Sequence, residues 1–381
     1  MKKIDTFLNE RKRLQNTRHL TPISERLKNG QVVIEGTPYW SLNSNDYLGL
    51  SNENILVKAA AVYLSKWGMG STGSRLLSGD AAPYHQLENV VAKLTKKPAA
   101  LIFNSGYQAN IGVISACFDK NDIIFADKYI HASIVDGILL SGAKLVRFRH
   151  NDLDHLDSLL KKNRDQGTDA LIISESIFSM HGDRCDLPEL VRLKDQYQCH
   201  LMIDEAHALG LYGKSGAGLV QAAGLSSKVD FIVGTFGKSI AGSGAFVSCS
   251  SRLSQFLINA CRSFTYSTAL PPSIIGWNLA SLAFIADHPE RAERLHTNVK
   301  TFKTQLASLE TPNSTHILPI RCASNEAAIG LSEMLKSEGF WANPIRHPTV
   351  PIGQEMIRLS ITAQHNHDML TKLVQVLKTD R

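Results

Sequence analysis

Seven short runs of β-branched and aliphatic residues recur along the middle of the chain, and they limit its fold more than any other feature. They read "ALIF" (100–103), "DIIFA" (122–126), "KLVRF" (144–148), "ALIIS" (170–174), "HLMID" (200–204), "FIVGT" (231–235) and "AFVSC" (245–249). Their spacing of about 20 to 30 residues, with helical pattern between, is the rhythm of strand–helix–strand units. Such runs build a mostly parallel sheet covered by helices on both faces, so the fold class expected is α/β. In such sheets ligands sit outside the carboxyl ends of the strands, where the loops converge. The residues just after the runs read "NSGYQAN", "DKYIHAS", "ESIFSMHGD", "DEAHALG" and "TFGKS", a polar and reactive set.

The 381 residues are 43% hydrophobic and 20% charged, enough for one large domain and a smaller one. The boundaries expected are an N-terminal helical or extended segment over 1–40, a large domain over 41–284 and a small C-terminal α/β domain over 285–381. A long helical pattern that starts at "IIGWNLASLAF" and runs to residue 310 joins the last two, and strand-like pieces follow near 315–321 and 356–361.

No apolar run approaches the roughly 18 residues that cross a bilayer. The N-terminus "MKKIDTFLNERKRLQNTRHL" is charged throughout and has no apolar signal core, so a cytoplasmic protein is expected, with no membrane partner. Six cysteines lie far apart without a CxxC pair, which points to neither a disulfide framework nor a thiolate metal site. The net charge of +6 is not gathered into a block and few aromatics interleave with it, so no nucleic acid is expected. The first 30 residues are richer in Lys and Arg; they read either as a solvated amphipathic helix or as a contact to an anionic substrate.

Three strand ends carry the chemistry. In "NSGYQANIGVISA" a strand ends at Phe103 and a helix begins near Ser105 to Tyr107, leaving backbone amides free to hold a phosphate. "HLMIDEAHALG" places Asp204 at a buried strand end, where an unpaired carboxylate is expensive, with His207 three residues on. With no third carboxylate or cysteine nearby, no metal is expected there, and by themselves the two read equally as a satisfied structural pair. Lys238, in "TFGKSIAGSGAF", follows another strand among small residues. It is either a loop lysine or an amine activated for Schiff-base chemistry. Together, a phosphate cup, a strand-end aspartate, an imidazole and a strand-end lysine meet the needs of pyridoxal phosphate. Lysine holds the aldehyde, and aspartate keeps the ring nitrogen protonated as an electron sink.

The chain resembles the α-oxoamine synthases, fold type I enzymes that use pyridoxal 5′-phosphate. "SNDYLGLS", "GSTGSRLLSGD", "IFNSGYQAN", "FADKYIHAS", "ESIFSMHGD", "DEAHALGLYGKSGAG", "TFGKS", "YSTALPP" and "IRHPTVP" carry the resemblance, which runs from about residue 40 almost to the C-terminus. It implies that Lys238 bonds the cofactor and moves the Cα proton, that Asp204 pairs with the ring nitrogen, and that His207 and Ser179 bond the phenolic oxygen. His131 would stack on the ring, and the amides of Gly106 and Tyr107 with the Thr235 hydroxyl would hold the phosphate, with Ser267 or Thr268 reaching it from a second subunit. Arg358 would grip the amino acid's carboxylate, Thr349 and Arg346 would line the same mouth, and Arg18 would sit near the acyl substrate. The implied reaction is a decarboxylative condensation of L-alanine with a pimeloyl thioester carried by coenzyme A or acyl carrier protein, in a homodimer. Glycine or serine with another acyl thioester, and a non-catalytic homologue, are the competing readings. Thr72, Ser239 and His347 depart from the residues relatives often carry at these places, and none of the three removes a required group.

Overall fold

The computed structural model describes residues 1–14, 16–165, 167–306, 315–347 and 349–379. The chain divides into two compact units, one of residues 53–179 and 183–292, the other of residues 1–52, 180–182 and 293–381. In chain order the strands are β1 (Glu25–Arg26), β2 (Gln31–Ile34), β3 (Thr37–Ser41), β4 (Ala99–Phe103), β5 (Ile123–Asp127), β6 (Lys144–Phe148) and β7 (Ala170–Glu175). They continue with β8 (His200–Asp204), β9 (Phe231–Thr235), β10 (Ala245–Cys249), β11 (Ile317–Arg321), β12 (Phe340–Trp341), β13 (Pro344–Ile345) and β14 (Met356–Ser360). The first helices are α1 (Lys2–Arg13), α2 (Asn54–Trp67), α3 (Ala82–Thr95), α4 (Gly106–Cys117), α5 (Ala132–Ser141), α6 (Leu153–Asn163) and α7 (Leu187–Gln196).

The first unit holds a seven-stranded sheet in the order β4-β10-β9-β8-β7-β5-β6. All seven apolar runs become its strands. β5 pairs parallel with β6 and β7, β7 with β8, and β8 with β9, while β10 runs antiparallel to both β9 and β4. The side-chain period of two divides the strands between two cores. Ile124 and Ala126 of β5, Leu171 and Ile173 of β7 and Met202 of β8 pack with α4 and α5, including Val113, Ile134 and Ile138. Ile123 and Phe125, Ala170 and Ile172, and Leu201 and Ile203 pack on the opposite face with Leu156, Leu160, Leu190 and Leu193 of α6 and α7. Each fully buried aliphatic side chain contributes on the order of 1.5–3 kcal/mol, so runs apolar on both faces are stable only when both are covered.

That arrangement puts three buried carboxylates, Asp127, Glu175 and Asp204, at the carboxyl ends of β5, β7 and β8. Asp127 is satisfied locally. His150 sends Nδ1–H to Asp127 Oδ1 at 2.9 Å and Nε2–H to Asp183 Oδ2 at 2.7 Å, while the Asn151 backbone donates to Asp127 Oδ2 at 2.8 Å. Burial alone would depress this imidazole, but the two carboxylates outweigh it and raise it from its ordinary 6.5 to about 9. A raised folded-state pKa stabilises below the unfolded value, so this contribution is fully present below pH 6.5 and is lost as pH rises through about 9. The expected result is that His150→Gln lowers the urea midpoint strongly at pH 6.5 and much less at pH 9.5, as read by circular dichroism.

The second unit contains a four-stranded sheet, β1-β2-β3-β12, and a three-stranded sheet, β11-β14-β13. The pieces expected near 315–321 and 356–361 are β11 and β14, paired antiparallel from Ile317 with Ser360 to Arg321 with Met356. The long helical pattern is in fact two helices, Pro272–Asp287 and Glu290–Gln305, and the part of it beyond Leu306 lies outside the described residues. The interruption falls at His288–Pro289, because a proline removes an amide donor and disfavours helical geometry in the residue before it. α1 is an exposed helix.

Candidate active site

At the carboxyl ends of β5, β7, β8 and β9 the first unit opens into a cavity of about 190 Å³. Its walls include Gly106, Tyr107, His131, Asp204, His207, Thr235 and Lys238, brought together from positions 106 to 238 of the chain. α4 starts at Gly106 because Ser105 caps it, its hydroxyl accepting the Gln108 amide at 3.2 Å. The amides of Gly106 and Tyr107 lie in the helix's first turn and have no carbonyl within the helix to bind. An N-terminus of this kind favours an anion. Thr235 ends β9 beside it, its hydroxyl donating to the Gly244 carbonyl at 3.0 Å.

Asp204 is 7% exposed. Its Oδ1 accepts the Ala206 amide at 2.9 Å and its Oδ2 the Asn110 side-chain amide at 3.0 Å, so two donors hold the carboxylate and offset its burial. His207 is buried, and its Nε2 lies 2.8 Å from Lys238 Nζ. His131 caps α5 at the exposed rim of the cavity. Burial first, and the positive charge of Lys238 second, hold its imidazole below the usual range, although Asp204 works against them.

Lys238 sits in a tight turn after β9. The Gly242 amide donates to the Phe236 carbonyl at 2.8 Å, and the Ala241 amide to the Lys238 carbonyl at 2.8 Å. One of the small residues near it, Gly242, has a packing reason of its own. A Cβ on Gly242 would come within 2.0 Å of Asn278 Oδ1, so the turn is pressed against the helix Pro272–Asp287. Ser239 is buried on that packed side, where its Cβ would lie 2.8 Å from any Cβ added to Gly210. It supports the turn and does not line the cavity.

Three residues that the sequence reading passed over complete the site: Asn110, Ser133 and Glu175. Asn110 lies one helical turn after Gly106, on the same face of α4, which the periodicity alone could have shown. Ser133 stands two residues after His131, and Glu175 is the last residue of β7, in register with Asp204. The Glu175 carboxyl is pushed up to about 8, by burial first and by the neighbouring Asp204 charge second. It therefore keeps its proton near neutral pH.

Ser179 is on the turn after β7, outside this lining. Ser267 accepts from Gln108 Nε2 at 3.2 Å and the Thr268 carbonyl from Asn104 Nδ2 at 2.6 Å, so both are tied to the start of α4 in their own chain. In the second unit Arg18 donates to the Thr349 hydroxyl at 3.0 Å, joining two expected residues 331 positions apart. The Arg346 carbonyl accepts the Thr349 amide at 2.9 Å, which closes that turn. Arg358 is buried on β14 and donates to Ser360 at 2.8 Å and to Asn45 and Tyr47 at 3.3 Å each.

Beside Asp204, Glu205 points the other way, its Oε2 accepting the Val220 amide at 3.2 Å. Gly218, at φ +104°, has no space for a side chain, because a Cβ would stand 1.8 Å from that oxygen. Gly218→Ala should cost about 2 kcal/mol or more through backbone strain and overpacking, which urea unfolding would measure.

The aminotransferase class I and II family model matches residues 37–377. An 8-amino-7-oxononanoate synthase of Methylococcus capsulatus (strain ATCC 33009 / NCIMB 11132 / Bath) is 38% identical over 361 residues, spanning 93% of this chain and 92% of that one. The chain belongs to the 8-amino-7-oxononanoate synthase family. Among solved structures, 8-amino-7-oxononanoate synthase from Francisella tularensis is 30% identical with a TM-score of 0.79, covering 89% of this chain and 97% of its own. A serine palmitoyltransferase from S. paucimobilis with a bound PLP–myriocin aldimine is 28% identical with a TM-score of 0.94, covering 100% and 97%. The fold is that of fold type I transferases, and this member of the family is a pyridoxal phosphate-dependent enzyme. Among the described residues no helix is long and apolar enough to cross a membrane.

The donor set fits the cofactor. The cavity wall offers first-turn helix amides, a buried carboxylate and a primary amine. Asp204 still has lone pairs to offer, and Glu175 Oε1 is buried with no partner among the described residues.

Proposed function

We propose that this enzyme condenses L-alanine with a pimeloyl thioester, with loss of carbon dioxide and of the thiol, to give 8-amino-7-oxononanoate, a step of biotin synthesis. The observation that carries the reading is Lys238 Nζ, 2.8 Å from His207 in the same cavity as the Asp204 carboxylate, in a chain 38% identical to a synthase of that name. When bound, pyridoxal phosphate supplies an aldehyde for the amine and a sink for the electrons released at Cα.

The chain's own residues do the rest. Lys238 takes and returns the Cα proton, and its amine is reactive when it passes its own proton to the His207 Nε2 beside it. Asp204 keeps a proton on the ring nitrogen, which an ionised carboxylate held by two donors is built to do. Gly106, Tyr107 and Thr235 would hold the phosphate, with Ser267 or Thr268 of a second copy reaching it, and His207, joined by Ser179 from the turn after β7, would bond the phenolic oxygen. His131 covers the ring. Arg358, a planar two-toothed donor, holds the amino acid's carboxylate, Thr349 and Arg346 line the same mouth, and Arg18, bonded to Thr349, meets the acyl substrate.

The partners follow from this reading: coenzyme A or acyl carrier protein as the thioester carrier, a second copy of the chain as a homodimer, and the cytoplasm as the place of action. Exposed Leu76, Leu77, Met69 and Tyr266 of the first unit support an apolar subunit contact.

The high TM-score to serine palmitoyltransferase reflects a shared backbone, whereas the sequence is nearer to the synthases, at 38% against 28% identity. Thiol release would be followed with alanine, glycine or serine, each paired with pimeloyl, acetyl, succinyl and palmitoyl coenzyme A. Release confined to alanine with the pimeloyl thioester is the expected result; release with serine and the palmitoyl thioester would replace this reading.

A further inference from the structure

Four side chains form an unbroken line along one wall of the cavity. Asn110 of α4 donates from Nδ2 to Asp204 Oδ2 at 3.0 Å and to Ser133 Oγ at 3.0 Å. Ser133 Oγ lies 2.7 Å from His131 Nδ1, and the Ser133 backbone amide donates to the same nitrogen at 3.2 Å. Asn110 and Ser133 are themselves buried, at 2% and 0% exposure, which shields the bonds between Asp204, Asn110 and Ser133 from solvent.

The two ends of this line, the Asp204 carboxylate and the backbone amide on His131 Nδ1, fix the arrangement of protons along it. An ionised carboxylate accepts and cannot donate, so the Asn110 atom facing Asp204 must be the nitrogen; the flipped amide would aim one oxygen at another. The amide's second proton then points at Ser133 Oγ, which becomes an acceptor there. Because the Ser133 backbone amide donates to His131 Nδ1, that nitrogen is an acceptor, and the hydroxyl's own proton goes to it as well. A nitrogen that accepts carries no proton, so the imidazole's proton is on Nε2.

We propose that Asn110 and Ser133 are positioning residues through which the charge of Asp204 holds His131 in its Nε2–H tautomer. The imidazole then offers the reaction a neutral donor of fixed direction. Its depressed basicity, from burial and from Lys238, agrees with a neutral ring. The use of that donor in turnover rests on the function proposed above, but the tautomer does not.

The test uses the holoenzyme labelled with ¹⁵N-histidine, with the His131 ring signals assigned by their loss in His131→Gln. In the wild type the expected signals are a protonated Nε2 and an unprotonated, hydrogen-bonded Nδ1. Ser133→Ala and Asn110→Ala should each admit a measurable share of the Nδ1–H form. With Ser133→Ala, kcat should fall roughly tenfold, and KM for alanine should change far less. Ser133→Thr, which keeps the hydroxyl, should restore both the tautomer and kcat.

A wild-type ring protonated on Nδ1 would overturn the proposal, and that measurement needs no variant to fold. So would an Nε2–H form unchanged in both alanine variants. A correct tautomer without condensation of alanine would instead sink the function while leaving the relay standing. Condensation with the proton on Nδ1 would do the reverse.

Discussion

Lys238→Ala is expected to give a folded protein that turns over no substrate, with kcat down by at least about a thousandfold. The stability cost is small because the side chain is only partly buried and leaves its turn intact. That turn is closed by backbone bonds from Gly242 to Phe236 and from Ala241 to Lys238, none of which uses the amine. What is lost is the one primary amine in the cavity, together with the partner that faces His207 at 2.8 Å. The variant should also lack the absorption of a lysine-bound cofactor and resist borohydride labelling. Turnover within tenfold of the wild type would remove Lys238 from the mechanism.

Asp204→Asn gives the second largest effect. Asparagine keeps the shape and one acceptor oxygen, enough for the Ala206 amide, and its NH2 can be met by the Asn110 oxygen if that amide turns over, so the fold should persist, but it cannot hold a proton on a ring nitrogen as a carboxylate does. A loss of roughly 10² to 10⁴ in kcat is expected, with a far smaller change in cofactor affinity. The same substitution removes the charge that helps raise the Glu175 carboxyl from its ordinary 4.5 to about 8. Infrared difference spectra across pH should therefore show a protonated carboxyl titrating near 8 in the wild type and clearly lower in Asp204→Asn. An acid raised in the folded state costs stability as pH rises from its unfolded value through its folded one, here from about 4.5 to 8. This adds to the alkaline loss expected from His150, so the wild type should be less stable at pH 9 than at pH 6.

Much of the first unit was legible in the sequence for a physical reason. Strands buried on both faces must be continuously apolar, so "ALIIS" and "HLMID" announce themselves, and the polar residues that follow them mark the strand ends. Asp204, His207 and Lys238 stood out as polar groups where polarity is costly. Asn110, Ser133 and Glu175 did not, since an amide in a helix and a serine after a cap are ordinary until their partners are known. Their partners are distant in sequence, 94 positions in the case of Asn110 and Asp204. The second unit was harder to read. Its strands β1, β12 and β13 are only two residues long, too short to display a period. The close approach of Gly242 to the helix Pro272–Asp287 could not be read from the sequence either, because the helix lies 30 to 45 positions further along the chain. The left-handed Thr72, at φ +58°, is likewise invisible in the sequence.

The most direct test of the whole account is the product itself. Purified enzyme supplied with pyridoxal phosphate, L-alanine and pimeloyl coenzyme A should form 8-amino-7-oxononanoate, identified by mass spectrometry, with one carbon dioxide and one free thiol per molecule. With ¹³C-carboxyl alanine the label should appear only in the carbon dioxide. A product that keeps the labelled carboxyl, or no product from alanine alongside one from serine and a palmitoyl thioester, would contradict the account.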